Sequence, residues 1–331
     1  MQINNKSWLL FIPFLVLFSF ACRILFPEPT VVPPVASPTP TPISTGRPTA
    51  TPTSTETVAP LPTRTPTVTS RAVPAGRVLI VVLGSDFRPG KGYRTDVIML
   101  VTVDTHRRTV TALSFPRDLY VYIPGWQRNR INTAFPRGGF DLLGKTFELN
   151  FGLRPDFYVL ANMQGLTGLV DSLDGITVEV PRYLKDRCDR SLDLADDDGY
   201  CEVEPGPVEM DGETALWYVR SRSSSSDFDR LRRAQEVLLA IFSKMMSLKA
   251  VAKWPQFYAA CLDFVETNMD SIDILPLLPA AVQVERDPSR IRRYAVTQAE
   301  TTPFRSPTGA SVLLPDYGKI AEIIDQAVYA P

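Results

Sequence analysis

Composition breaks sharply near residue 76, and the break divides what can fold from what cannot. Residues 27–74 hold 13 of the chain's 30 prolines together with 13 threonines. Such a segment has too few apolar residues to bury a core and favours extended, polyproline-like spacing. The expectation for residues 27–75 is a Pro/Thr-rich disordered stalk, reaching on the order of 100 Å at ~3.1 Å per residue. Immediately beyond it, Val78-Leu79-Ile80-Val81-Val82-Leu83 is a continuous apolar run, the pattern of a strand buried on both faces. About 255 of the 331 residues remain from there, enough for one substantial core.

That core reads as mixed. Residues 97–103 and 109–115 repeat the apolar pattern, and the polar stretch 105–108 between them reads as a hairpin. Further strands are expected at 157–161, 176–180, 216–219 and 294–296. Helices are expected at 142–151, 163–173, 229–246, 252–267, 272–284 and 317–328. Interleaved strands and helices predict an α/β fold, an α/β/α layered domain over residues 76–331. The hairpin makes its central sheet mixed rather than all parallel.

Before the stalk, residues 8–21 are almost wholly apolar, between Lys6 and Arg23. Counted on through Phe26, the run approaches the ~20 residues that span a bilayer. Residues 1–26 therefore read as a signal anchor or a signal peptide, with lipidation at Cys22 as a third option. Each option exports the folded domain. Net charge is −1, which favours neither a nucleic acid nor an anionic membrane surface as partner. A single histidine, His106, excludes a multi-histidine metal site. Cys188 and Cys201 bracket an acidic loop and are expected to form a disulfide in an oxidising compartment. The loop's aspartates, 193 and 196–198, read as solvated. Cys261 reads as a core residue.

Arginine and aspartate cluster in four short segments near strand ends: Gly84-Ser85-Asp86-Phe87-Arg88, Arg94-Thr95-Asp96, Ser114-Phe115-Pro116-Arg117-Asp118 and Tyr218-Val219-Arg220-Ser221-Arg222. Arginine presents a flat, permanently charged fork that matches phosphate oxygens. Asp86 and Asp96 flank a glycine-containing loop that can bring them together. Two carboxylates, with phosphate oxygens and waters, suffice for Mg2+ or Mn2+. Arg220 and Arg222, two apart in an extended segment, are expected to point the same way. Several arginines beside a carboxylate pair suit a diphosphate. Taken singly, each is equally explained by a surface ion pair.

The order of these segments resembles the LytR–CpsA–Psr family of cell-envelope proteins. The resemblance also rests on Ile131-Asn132-Thr133-Ala134-Phe135 with Gly138-Gly139, on Asp211-Gly212-Glu213-Thr214-Ala215-Leu216, and on Asp227-Phe228-Asp229-Arg230-Leu231-Arg232-Arg233. It implies an extracytoplasmic phosphotransferase that moves a glycopolymer from a polyprenyl-diphosphate carrier to peptidoglycan, held at the cell membrane by its N-terminal segment. It implies Asp86 and Asp96 as metal ligands and Arg88, Arg94, Arg117, Arg220, Arg222 and Arg233 as diphosphate contacts. Asp96, Arg117, Arg220 and Arg222 would form the catalytic group, with Asp96 or Asp229 as base. It further implies an apolar channel for the lipid, which ordinary core packing would mimic in sequence. The family's glutamine after the last arginine is here Ala234, with Gln235 one later, a rotation of about 100° on a helix. The alternative reading is a non-catalytic envelope regulator or a module that binds polyprenyl phosphate or glycopolymer; transfer to water is a third.

Overall fold

The structure, a computed structural model, describes residues 71–86, 93–189, 192, 194–221, 227–246 and 265–330. These lie within one compact unit, Thr65–Pro331. The expected N-terminal segment and the stalk up to residue 70 fall outside the described residues, as do Arg88, Arg222, Asp193, Cys22 and Cys261. Residues 71–75, expected as the end of the stalk, lie on the domain, with Arg71 paired to Asp325 at 2.9 Å and Val73 packed against the core. No helix among the described residues is long and apolar enough to cross a membrane.

The three apolar runs form β1 (Arg77–Ser85), β2 (Thr95–Asp104) and β3 (Thr109–Phe115), joined antiparallel as an up-down-up meander. A small hairpin follows, β4 (Tyr120–Tyr122) and β5 (Arg128–Arg130), leading into helix α1 (Ala134–Phe151). Within α1, Gly138 and Gly139 leave helical geometry, and Gly139 adopts φ 60°, so the helix kinks there. Then come β6 (Phe157–Asn162), α2 (Met163–Ser172) and β7 (Ile176–Val180). Next are β8 (Leu184–Arg187), β9 (Tyr200–Val203), β10 (Gly206–Met210), α3 (Gly212–Arg220) and α4 (Asp227–Met246). The chain closes with β11 (Val265–Thr267), α5 (Leu278–Arg286), β12 (Ile291–Ala295), β13 (Thr301–Arg305), β14 (Ser311–Pro315) and α6 (Tyr317–Ile324).

Six strands make the central sheet in the order β11-β6-β1-β2-β3-β12. β6 runs parallel to β1 and β12 parallel to β3, while the remaining neighbours are antiparallel, so the sheet is mixed as expected. Leu79, Val81, Leu83, Ile98 and Leu100 pack one face against Phe147 and Phe151 of α1, with Ile320 and Ile324 of α6. α4 and α5 cover the other face. A second cluster joins β7 and β10 to α2, α3 and α4 around Trp217, Tyr218 and Val237.

Three expectations are corrected. Residues 216–219 are not a strand but the middle of α3. Asp211 caps that helix, its carboxylate accepting from the Thr214 amide at 2.8 Å, and the apolar run Leu216-Trp217-Tyr218-Val219 lies inside it. Arg220 therefore ends a helix rather than sitting in an extended segment. The helix expected over 252–267 does not reach its end as drawn. Residues 265–267 pair antiparallel with β6 as an edge strand, and 247–264 lie outside the described residues. The stretch 272–284 is helical but interrupted by a 3-10 turn at Leu275–Leu277, where Pro276 and Pro279 remove amide donors.

Candidate active site

The site begins with an irregularity in the β1–β2 ladder. Gly84 pairs with Val97 and Ser85 with Thr95, so Asp96 is the extra residue of a bulge. A bulge bends the strand and re-aims the side chain it carries. A Cβ on Gly84 would lie 3.0 Å from the Val97 Cβ, so only glycine fits this crossing without displacement. Beyond the bulge, the Asp86 amide donates to the Arg94 carbonyl at 3.2 Å, and the Arg94 amide to Asp86 Oδ1 at 2.7 Å. These two bonds close the base of the loop and place Asp86 beside the start of β2.

Arg117, just past the end of β3, reaches across the sheet edge. Its Nη1 donates to Asp96 Oδ1 at 3.0 Å, and its Nε lies 3.4 Å from Asp118 Oδ2. Asp118 in turn holds Arg130 Nε at 3.1 Å. The result is a relay of alternating charge, Asp96–Arg117–Asp118–Arg130. Asn132 braces it from beneath: its amide donates to the Arg117 carbonyl, and its carbonyl accepts from the Thr95 hydroxyl.

Asp86 and Asp96 line one cavity of about 920 Å3. Its walls come from the sheet (Val82, Met99), from α2 (Leu166), from α3 (Leu216, Trp217) and from α4 (Val237, Leu238, Ile241). Arg220 and Arg230 stand at the same cavity. Charged and apolar side chains thus line the same cavity. The volume is in the range that holds small organic ligands. The apolar residues of α4 are therefore not all spent on core packing; they wall an open space. Leu275 and Leu278, in the other apolar helical stretch at 272–284, are exposed.

The remaining predicted residues separate. Arg94 is exposed beside the loop base and, like Arg117, lies outside the cavity wall. Arg233 is 2% exposed and faces the core, donating to the Ser221 carbonyl at 2.6 Å beside the Tyr218 ring. Burial pushes its guanidinium below the ordinary arginine value. Its placement is that of a brace for the turn after Arg220. Asp229 faces a separate small crevice, 3.5 Å from Arg182 and 3.9 Å from Arg232. The period of α4 explains the split. Arg230, Ala234, Val237, Leu238 and Ile241 share the cavity face, while Asp229, Arg233 and Glu236 share the Tyr218 face. Gln235 points into the sheet, its amide donating to Ser114 Oγ at 2.7 Å and the Tyr294 carbonyl at 3.0 Å. Ala234 lines the cavity, so Gln235 does not take over its position.

Two contributors escaped the sequence reading. Arg230 lies in a quoted motif but received no role. The hairpin β8–β9 supplies Asp186 and Arg187 to the cavity wall. The Cys188–Cys201 disulfide, with Cα atoms 5.6 Å apart, clasps this hairpin as expected. Asp186 accepts from the Ser221 hydroxyl at 2.6 Å, and Trp217 Nε1 donates to the Arg187 carbonyl, so the clasp is tied to the segment bearing Arg220. Asp196 is not merely solvated: it caps the turn, accepting from the Asp198 and Tyr200 amides and from Lys185.

Among the described residues, no group of three or more His, Cys, Asp or Glu is arranged to hold a metal ion. Two carboxylates on one cavity still fit Mg2+, which takes few protein ligands and completes its shell with phosphate oxygens and water. The fit therefore depends on an anionic ligand being present.

The LytR_cpsA_psr family model matches residues 49–323. The chain belongs to that family. It is 30% identical over 216 residues to "Regulatory protein MsrR" of Staphylococcus aureus (strain COL), covering 64% of this chain and 63% of that protein. It is 32% identical over 214 residues to "Polyisoprenyl-teichoic acid--peptidoglycan teichoic acid transferase TagT" of Bacillus subtilis (strain 168), covering 62% and 65%. The chain thus spans less than two thirds of the length of these curated relatives. Among solved structures of LytR_cpsA_psr proteins, it is similar to B. subtilis TagV, with TM-score 0.62 and 25% identity over 77% of this chain and 98% of that one. It is also similar to TagT bound to LIIa-WTA, with TM-score 0.59 and 26% identity over 77% and 92%.

Proposed function

We propose that this protein is an extracytoplasmic phosphotransferase that moves a glycopolymer from a polyprenyl-diphosphate carrier to a peptidoglycan hydroxyl. One observation carries the reading: Asp86, Asp96 and Arg220 line the same cavity, of about 920 Å3, as the apolar side chains of α2, α3 and α4. A diphosphate needs cations and a metal; a polyprenyl tail needs a dry, elongated chamber. The name of TagT, a teichoic acid transferase that uses a polyisoprenyl carrier, supports the same chemistry.

In this mechanism, Arg220 and Arg230 bind the diphosphate at the cavity, joined by Arg222 and Arg88 from segments outside the described residues. Asp86 and Asp96 are the residues that would hold Mg2+ or Mn2+. The metal, when bound, neutralises charge on the diphosphate. Arg117 fixes the Asp96 carboxylate, and Arg94 closes the loop that carries Asp86. The acceptor hydroxyl attacks the phosphorus bearing the glycopolymer. A new P–O bond forms to the acceptor, the P–O bond to the bridging oxygen breaks, and polyprenyl phosphate leaves with the electron pair. Positioning and charge neutralisation suffice for such a transfer. Asp96 takes the hydroxyl proton in this scheme, because Asp229 faces another crevice. Residues 1–26 anchor the protein to the cell membrane, with the active domain outside, and residues 27–75 act as the tether.

Incubation of the full chain in detergent with a polyprenyl-diphosphate saccharide, Mg2+ and peptidoglycan fragments, read by mass spectrometry, tests this. The expected product is a phosphodiester-linked conjugate, reduced about 10²–10³-fold in Asp96→Ala and in Arg117→Ala. Free glycopolymer phosphate without conjugate would identify a hydrolase instead. Ala234 on the cavity wall favours a second reading, a carrier-binding regulator. Tight carrier binding with no product from the native lipid-linked polymer would select it.

A further inference from the structure

Ser221 ties Arg220 to parts of the molecule that the transfer scheme does not use. It follows Arg220 directly and is 4% exposed. Each of its polar groups is engaged. Its amide donates to the Trp217 carbonyl at 2.9 Å, closing the last turn of α3. Its carbonyl accepts from Arg233 Nη2 at 2.6 Å, and its hydroxyl donates to Asp186 Oδ2 at 2.6 Å. Arg233 comes from α4 and Asp186 from β8, so two other elements grip this one residue. A hydrogen bond to a carboxylate is about twice as strong as a neutral one.

Asp186 stands where an acidic group is unfavourable. It lines the cavity that Arg220 also lines, and a carboxylate there repels a bound diphosphate, the more so as water is excluded. The bond to Ser221 accounts for its presence. Its own position is fixed by the clasp: Asp186 lies opposite Cys201 in the β8–β9 ladder, and the Cys188–Cys201 disulfide closes the hairpin just beyond it. Trp217 Nε1, donating to the Arg187 carbonyl at 3.2 Å, ties the same hairpin to α3 a second time.

We infer that Asp186 is a positioning residue for Arg220, and that the Cys188–Cys201 disulfide acts on diphosphate binding through it. The inference rests on the phosphotransferase reading above. Arginine is long and flexible, so the backbone it leaves from decides where its guanidinium can be. With Ser221 held through amide, carbonyl and hydroxyl, the end of α3 is set before a ligand arrives, and less freedom is lost on binding. Release of the hydroxyl loosens the residue next to Arg220, and the diphosphate must then order backbone as well as side chain. Asp186 thus costs affinity through its charge and returns more through the geometry it imposes.

The test titrates the full chain, in detergent with Mg2+, with farnesyl diphosphate and with farnesol by calorimetry. Farnesol carries the same tail without phosphates, so general damage to the cavity weakens both ligands and leaves their affinity ratio unchanged. Asp186→Ala is expected to lower the ratio about tenfold, and Asp186→Asn to restore most of it, because the amide oxygen still accepts from Ser221. A ratio that rises in both variants would show only a relieved repulsion and overturn the inference. Equal loss for both ligands in Asp186→Ala would overturn it too. Ser221→Ala and the Cys188→Ser, Cys201→Ser pair are each expected to lower the ratio about tenfold, and their combination no further than either alone. Effects that multiply to about a hundredfold would remove the route through Asp186, as would a wild-type ratio that dithiothreitol leaves unaltered. A wild-type protein that prefers neither ligand removes the inference. One that prefers the diphosphate through Asp186 yet forms no conjugate leaves it standing, and the transferase reading falls.

Discussion

The two faces of the central sheet are built from the same strands and do opposite things. On one face, Leu79, Val81 and Leu83 of β1 meet α1 through an aromatic cluster. Phe115, Phe147 and Phe151 are buried with ring centroids 5.0 to 5.4 Å apart. On the other face, Val82 and Met99 look into about 920 Å3 of open space walled by α2, α3 and α4. One face is filled by side chains and the other borders the cavity. The carboxylates lie at the edge between them, where the bulge at Asp96 interrupts the ladder.

The largest expected effect comes from breaking the closed face. Phe147→Ala should cost about 3–5 kcal/mol of stability in chemical denaturation, because it leaves a void in a fully packed cluster. On the open face, Leu238→Trp should change stability by less than about 1 kcal/mol, since the new ring enters existing space. It should nevertheless weaken prenyl phosphate binding about tenfold by occupying that space. Equal stability losses from the two substitutions would erase the contrast.

The clasp that holds the open wall comes next. Cys188 and Cys201 are 13 residues apart, and closing a loop of that length stabilises by about 3 kcal/mol in the chain-entropy view. The Cys188→Ser, Cys201→Ser double variant should unfold at a lower temperature than wild type, by an amount that dithiothreitol reproduces on the wild-type protein. The variant should also lose prenyl phosphate affinity, because Asp186 and Arg187 belong to the cavity wall.

The smallest effect lies at the far end of the sheet. Asp104, at the end of β2, pairs with Arg77 at 3.1 Å. Burial pushes its carboxyl up, but the Arg107 amide and the Arg77 guanidinium outweigh that and hold it below the ordinary carboxylate value. The folded state therefore favours the carboxylate. Its contribution is present above the ordinary Asp pKa of about 3.9 and is lost as pH falls through the lower folded value. Acid titration of stability should show a shallower decline in Asp104→Asn than in wild type, with transfer activity at neutral pH unaffected.

Much of this architecture was readable from residue pattern. β1 to β3 are apolar runs rich in Val and Ile with a polar hairpin between two of them, and length, β-branched content and the flanking turn assign such runs as strands. The 216–219 stretch failed because a four-residue apolar run fits a strand or a helix equally. The deciding signal was upstream, in the Asp211 cap and in Gly212, where a Cβ would lie 2.4 Å from the Thr167 carbonyl oxygen as α3 crosses α2. For the candidate site, charge clustering singled out Asp86 and Asp96, which line the cavity, and Arg117, which pairs with Asp96, but could not say which arginines of α4 face the cavity. The 3.6-residue period sends Arg230 one way and Arg233 the other, a distinction available only once the cavity face was known. The β8–β9 wall depends on tertiary contacts that no local pattern encodes.

The most direct test of the two-face account is a structure of the protein with a bound prenyl diphosphate and Mg2+. The account predicts the hydrocarbon between Met99, Leu166 and Leu238, with the diphosphate at Asp86, Asp96 and Arg220. A tail lying outside that cavity, or a diphosphate away from the Asp96 bulge, would contradict it.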